Sequence, residues 1–325
     1  MSPLDPHGQL LIIAAALLST GSALALTPLA STIVRRAPTW SADAQRRTLV
    51  GLAFAPLLLA VVALGAVLLP SLFAATGGGD HCHEHGGHLH LCLVHLAEHP
   101  ASALAAVIAS ALLARLAWLV GAGLISLLRA ARPARLLLRH ARREGDAHIL
   151  PMARPICLSL GLLRPRLVLS EGFLAALTPD QRLAAIAHEG AHIVQRDALT
   201  RLIAGAAARL YPAPLRRRLL AALDTAMERA ADEAAASTLG DRLVVASALV
   251  AAERAIAAHP LSSPLVMAID GGTLGIRVSA LLDEQPQERS PRWLLPGLAL
   301  ALALIVGLHD PLHHAVESAL DALFH

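Results

Sequence analysis

Two imidazoles and a carboxylate set the chemistry open to this chain: His188, Glu189 and His192 in the run His188-Glu189-Gly190-Ala191-His192. On a helix His188 and His192 stand one turn apart on one face, a two-point grip for zinc. Glu189 lies beside them, within reach of an attacking water as general base. A catalytic zinc takes three protein ligands and keeps one position open. The run Glu228-Arg229-Ala230-Ala231-Asp232 begins 36 residues after His192, and Glu228 is the best-placed third ligand. Asp232, one turn further along the same face, is placed to orient a ligand histidine by accepting from its second ring nitrogen.

A zinc-binding helix must be anchored. Thr178-Pro179-Asp180-Gln181 reads as an N-cap, a proline at the first helical position and a capping-box glutamine, so a helix starts there. It is expected to run to about Gln195 with Leu183, Ile186 and Ile193 as its buried face. Ahead of it, Pro155–Ser159 and Arg166–Ser170 read as two short strands joined by a turn around Gly161 to Pro165. The edge of such a hairpin can hold an extended peptide across the metal. Further helices are expected over about Asp197–Tyr211, Pro214–Leu239 and Arg242–Ala258. The first of these is apolar on most sides and precedes Arg216, Arg217 and Arg218, so it either rests on a membrane surface or is an ordinary buried helix. Tyr211, the one tyrosine, sits in a Tyr-Pro context that suits a structural role.

The surroundings of these motifs are a membrane protein's. The chain is 55% hydrophobic, 2% aromatic and 16% charged over 325 residues, with mean hydropathy +0.58. That is too apolar for a water-soluble protein of this size. Four stretches are candidate spans: about Gln9–Ala30, Leu49–Ala75, Ala103–Leu128 and Trp293–Leu308. The segment before the first has no Lys or Arg and contains Asp5, so it reads as a retained span and not as an export signal. The expected domains are a membrane region over 1–128, a peptidase domain over 129–292, and the fourth span with a short tail over 293–325.

Arginines flank these spans on alternate sides. Arg35, Arg36, Arg46 and Arg47 follow the first, six arginines from Arg129 to Arg143 follow the third, and Arg289 and Arg292 precede the fourth. The loop from about Thr76 to Pro100 has no Arg or Lys. The positive-inside rule then places both termini outside and the zinc domain in the cytoplasm, in a multi-pass protein of a bacterial inner membrane. The partners are therefore the bilayer and a protein substrate. Net charge +3 reflects these basic flanks, and with so few aromatic residues direct nucleic-acid binding is not expected. Arg115, inside the third span, either faces the bundle or snorkels.

Four motifs in order resemble the antirepressor membrane zinc peptidases of the BlaR/MecR type. They are Arg164-Pro165-Arg166-Leu167-Val168-Leu169-Ser170-Glu171-Gly172-Phe173, Thr178-Pro179-Asp180, Ala187 to His192 with Arg196-Asp197, and Glu228 to Ala234. The resemblance covers about residues 130–258, with the spans matching in number and order. It implies a mainly α membrane protein with about four spans and an α+β gluzincin-like peptidase domain. It also implies one catalytic zinc held by His188, His192 and Glu228, Glu189 as base, and cytoplasmic cleavage that relieves a repressor. Antibiotic-sensing members carry a penicillin-binding domain after the last span. Here about Asp310 to His325 follows it, so a β-lactam stimulus by that route is not expected. Gly190 and Ala231 stand where a bulkier residue and a cysteine are the family's pattern.

Two rival functions share these residues. One is a membrane quality-control protease of the heat-shock type, which would degrade many misfolded membrane proteins. The other is a metal-binding sensor or transport module whose protease-like domain only docks a partner, although such a module has no need of Glu189. Cys157 reads as a buried thiol. The outside loop holds His81, Cys82, His83, His85, His88, His90 and Cys92, a density that suits a further transition metal such as zinc, copper or nickel.

Overall fold

In the computed structural model, residues 6–75, 91, 103–258, 271–283 and 294–324 are described. The loop residues from His81 to Cys92 named above lie outside them, apart from Leu91. Helices α1 (Pro6–Arg36) and α2 (Ala42–Ala75) form a hairpin closed by a 3-10 turn at Ala37–Thr39, and α3 (Ala103–His140) packs on α1. All three contain segments long and apolar enough to cross a membrane. Their apolar faces are bare: on α3, Val107, Leu116, Trp118 and Val120 are exposed, an arrangement that only lipid makes favourable. Arg115 shares that exposed surface, as the snorkelling reading requires.

Length explains how these spans meet the peptidase. With 31 and 34 residues, α1 and α2 extend about 46 Å and about 51 Å, beyond the roughly 30 Å hydrocarbon layer. The surplus at the α1–α2 turn joins a core with later helices of the chain. Ile33, Val34, Trp40, Leu49 and Leu52 pack with Tyr211, Leu215, Leu219, Leu223 and Met227. Tyr211 is 2% exposed and its hydroxyl donates to Leu52 O at 3.0 Å, a structural role. At the far end, Leu10, Val67 and Ala105 pack with Val316 and Leu320.

The last two come from a helix the sequence did not announce. Helices α10 (Leu294–Gly307) and α11 (His309–Phe324) are bent by 70° and pass a span test only as a pair. Where a short tail was expected, α11 caps the bundle by packing on α2.

Four strands form one mixed sheet: β1 (Arg142–Glu144), β2 (Ala147–Leu150), β3 (Cys157–Leu160) and β4 (Arg166–Ser170), in the order β1-β2-β4-β3. The expected hairpin is β3–β4, antiparallel, with Cys157 opposite Leu169. Strand β2 runs parallel to β4 and leaves β3 as an edge. Helix α4 (Glu171–Ala176) follows directly, capped by Ser170, whose Oγ accepts from Phe173 N at 3.1 Å and Ile156 N at 2.8 Å.

Gly172 explains the glycine of that motif. A Cβ there would stand 1.7 Å from Ala153 O, and its amide donates to Met152 O at 2.9 Å. Gly172→Ala is expected to cost about 3 kcal/mol, since backbone must move. A chemical-denaturation midpoint unchanged by the substitution would refute that close approach.

The remaining helices are α5 (Pro179–Gln195), α6 (Asp197–Ala207), α7 (Ala213–Leu239), α8 (Arg242–Ala257) and α9 (Gly271–Leu282). The capping box at Thr178 forms as read, with Gln181 N donating to Thr178 Oγ1 and Thr178 N to Gln181 Oε1. The buried face of α5 does not match the expectation. Leu183 is 55% and Ile186 36% exposed, and Ile193 is partly buried against the sheet side. The face turned inward carries Ala184, His188 and Ala191. Small side chains let α7 and α8 approach closely, and the helix rotates to direct its imidazoles inward. The expected stripe lies on almost the opposite side.

Candidate metal centre

Two helices bring the donors together. Helix α5 supplies His188 and His192 and α7 supplies Glu228, and ligand atoms of all three lie within 4.8 Å of one another. Nε2 of His188 is 3.2 Å from Nε2 of His192, 3.5 Å separates His188 Nε2 from Glu228 Oε2, and 3.6 Å separates His192 Nε2 from Glu228 Oε1. A tetrahedral zinc with bonds of about 2.0–2.1 Å has ligand–ligand edges of about 3.3 Å. The histidine–histidine separation and the distance from each histidine to one or other oxygen of Glu228 lie close to that value, so the donor types and spacing suit the ion.

Each imidazole is backed by a carboxylate on its other nitrogen, the arrangement that fixes tautomer and ring direction in zinc sites. His192 Nδ1 lies 2.7 Å from Asp197 Oδ2. His188 Nδ1 lies 2.9 Å from Asp232 Oδ1, a close approach that is off the axis of a well-directed hydrogen bond. Asp232 was expected in that position. Asp197 was quoted only as part of a motif, and its role comes from a turn. Arg196 caps α5 in the left-handed region, φ 53°, and swings the chain so that the first residue of α6 faces back to His192.

Arginines complete the shell. Arg277 on α9 donates from Nε and Nη2 to the two oxygens of Asp232, both at 2.7 Å, and its Nη1 is 2.9 Å from Glu228 Oε2. The sequence signal for it was a lone charge in an otherwise apolar helix. Arg46, read only as a membrane flank, donates to Asp197 Oδ1 at 3.0 Å.

Glu189 is turned toward β3. Burial pushes its carboxyl up, the two imidazoles pull it down, and a backbone hydrogen bond from Ser159 tethers it. A raised carboxyl suits a base that must release its proton again. Cys157 on β3 touches Glu189. Burial first, and then this carboxylate, hold its thiol well above the ordinary range. It is a half-buried neutral thiol beside the base.

A proton on His188 would compete with a metal for the same ring. Burial works against charge on His188, but hydrogen bonding to Asp232 and Glu228 outweighs it and holds the ring at about 9, up from 6.5. Burial likewise opposes ionisation of Glu228, and its bond to His188 overrides that to hold it at about 2. The stability that His188 gains from its proton is full below 6.5 and lost as pH rises through about 9. Zinc requires the neutral ring, so its affinity is expected to climb about tenfold per pH unit between roughly 7 and 9. An affinity flat over that interval would show that the ring carries no competing proton there.

Residues 159–214 match the model of Peptidase family M48. No curated protein and no solved structure matches the chain. The matched residues run from β3 to the start of α7 and include His188, Glu189 and His192, while Glu228 and Asp232 join through geometry alone. With the apolar helices, this similarity supports a membrane-associated zinc metalloprotease.

Proposed function

We propose that the chain is a membrane-embedded zinc endopeptidase with a cytoplasmic active site that cuts a transcriptional repressor in response to a signal. The carrying observation is the convergence of His188, His192 and Glu228 at zinc-like separations, with Asp232 and Asp197 behind the imidazoles. The centre lies against the ends of α1 and α2 that carry Arg35, Arg36, Arg46 and Arg47, which supports the cytoplasmic side. Bound zinc would polarise the scissile carbonyl and acidify the attacking water. Glu189 takes that water's proton and returns it to the leaving amine. β3 is the outermost strand of the sheet and runs beside Glu189, so a substrate strand laid along it passes the base. The four-motif resemblance supports a repressor as substrate. The family match, which specifies a peptidase and no single target, supports a second reading, membrane-protein quality control.

Comparing the proteins cut in cells that induce the native chain with those cut by its Glu189→Gln variant separates the readings. Loss of one cytoplasmic repressor is the expected result. Loss of many misfolded membrane proteins would establish quality control instead. For topology, a cysteine introduced at Asp146 should resist impermeant thiol reagents in intact cells and one at Gly78 should react. The reverse pattern would move the site outside.

A further inference from the structure

We propose that Gln45 and Arg46, in the first turn of membrane helix α2, are positioning residues that hold the two metal-bearing helices in register. The inference rests on the zinc reading of the site. Its observations are independent of that reading.

Arg46 is only 16% exposed, although it sits beside Arg47, which is 72% exposed and pairs with Asp43 on its own helix. The two arginines have different tasks. Arg46 Nε donates to Asp197 Oδ1 at 3.0 Å, and its Nη2 donates to Gln195 O at 2.9 Å. It thereby grips the last turn of α5 and the first residue of α6 together. The other oxygen of Asp197 is the one that faces His192 Nδ1. Asp197 is 8% exposed and takes its positive partner from the span. A buried carboxylate without that partner would swing toward solvent and release the imidazole it orients.

Gln45 does the parallel work on α7. It is 2% exposed, and its Oε1 accepts from Arg229 Nη1 at 3.0 Å. Arg229 is the neighbour of Glu228 and also donates to Pro38 O at 3.4 Å in the α1–α2 turn. Two consecutive residues of one span thus reach the helix of His192 and the helix of Glu228. Below them Leu49, Leu52 and Ala53 lock α2 against Leu219 and Leu223 of α7, so the turn cannot shift alone. The ligand network therefore ends inside a transmembrane helix, and the spacing of its donors depends on where that helix sits.

The test uses the full chain in lipid nanodiscs, with zinc affinity and the visible spectrum of the cobalt-substituted site as readouts. Arg46→Ala is expected to weaken zinc about tenfold and alter the cobalt spectrum. Arg46→Lys recovers part of the affinity, because a point charge still meets Asp197 but loses the fork. Gln45→Ala shows a smaller loss, and Arg47→Ala behaves as the native chain. Circular dichroism identifies the folded variants, and Arg46→Gln replaces Arg46→Ala if the latter unfolds. Native affinity and an unaltered cobalt spectrum in a folded Arg46 variant would overturn the proposal, even if its melting temperature fell. A native chain that takes up no zinc would overturn the metal reading itself.

Discussion

Glu189→Gln is expected to retain about one zinc per chain while cleaving substrate roughly 10²–10⁴-fold more slowly, the range set by removing a general base. The separation follows from where the carboxyl points. Glu189 is held by the backbone of Ser159 on β3 and by contact with Cys157, and it is not one of the three converging donors. An amide keeps its shape and takes no proton. His192→Ala and Glu228→Ala remove donors instead, and both should lose metal and activity together. Metal content by atomic emission, set beside cleavage of the same substrate, checks the pair. A Glu189 variant that cuts at near-native rate would assign the base to another residue.

The second large effect lies with Arg277. Asp232 is 3% exposed and accepts two hydrogen bonds from Arg277 at 2.7 Å, while Glu228 shares the same guanidinium. Arg277→Ala strands two neighbouring carboxylates, one of them fully buried. Removing one member of a buried ion pair costs about 3–5 kcal/mol. His188 keeps a positive ring near Asp232 in the metal-free state, which places the expected loss at the lower end. Urea unfolding of the chelated protein in detergent measures it. Arg277→Lys should recover less than half, since an ammonium cannot fork to both carboxylates. A midpoint shift equivalent to under about 1 kcal/mol for Arg277→Ala would show that the cluster is held by something else.

The donors were legible because their spacing is local. His188 and His192 are separated by one helical turn, and Glu228 and Asp232 repeat that turn on α7, so periodicity alone puts each pair on one face. The start of the zinc-binding helix was legible from its cap at Thr178. The sheet was only half readable. Strand β1 is Arg142–Glu144, three exposed charged residues with no alternation, and it exists because β2 pairs with it. The rotation of α5 was misread because leucine and isoleucine were weighed above alanine. Packing at close range rewards the smaller side chain when a metal ligand must face inward. Arg46 and Arg277 were invisible as site residues, since each acts from an element distant in sequence. Nothing in the spacing of Arg46 and Arg47 says that one is a partner of Asp197 and the other is solvated.

The alanines that line these helix contacts carry a consequence for how the molecule can drift. Ala184, Ala235, Ala236, Ala246 and Ala248 are all nearly sealed from solvent, so α5, α7 and α8 meet through methyl groups. A methyl contributes little burial, and a larger group in its place must push two helices apart. The walls of the centre are therefore close to a minimum of volume from which most single substitutions are uphill. Heritable variation has to collect on outward positions such as Leu183, Ile186 and Val194, which are exposed on the side of α5 turned away from the imidazoles and free to change without moving them. Change would then gather on that outer face, behind a chemical centre that stays the same.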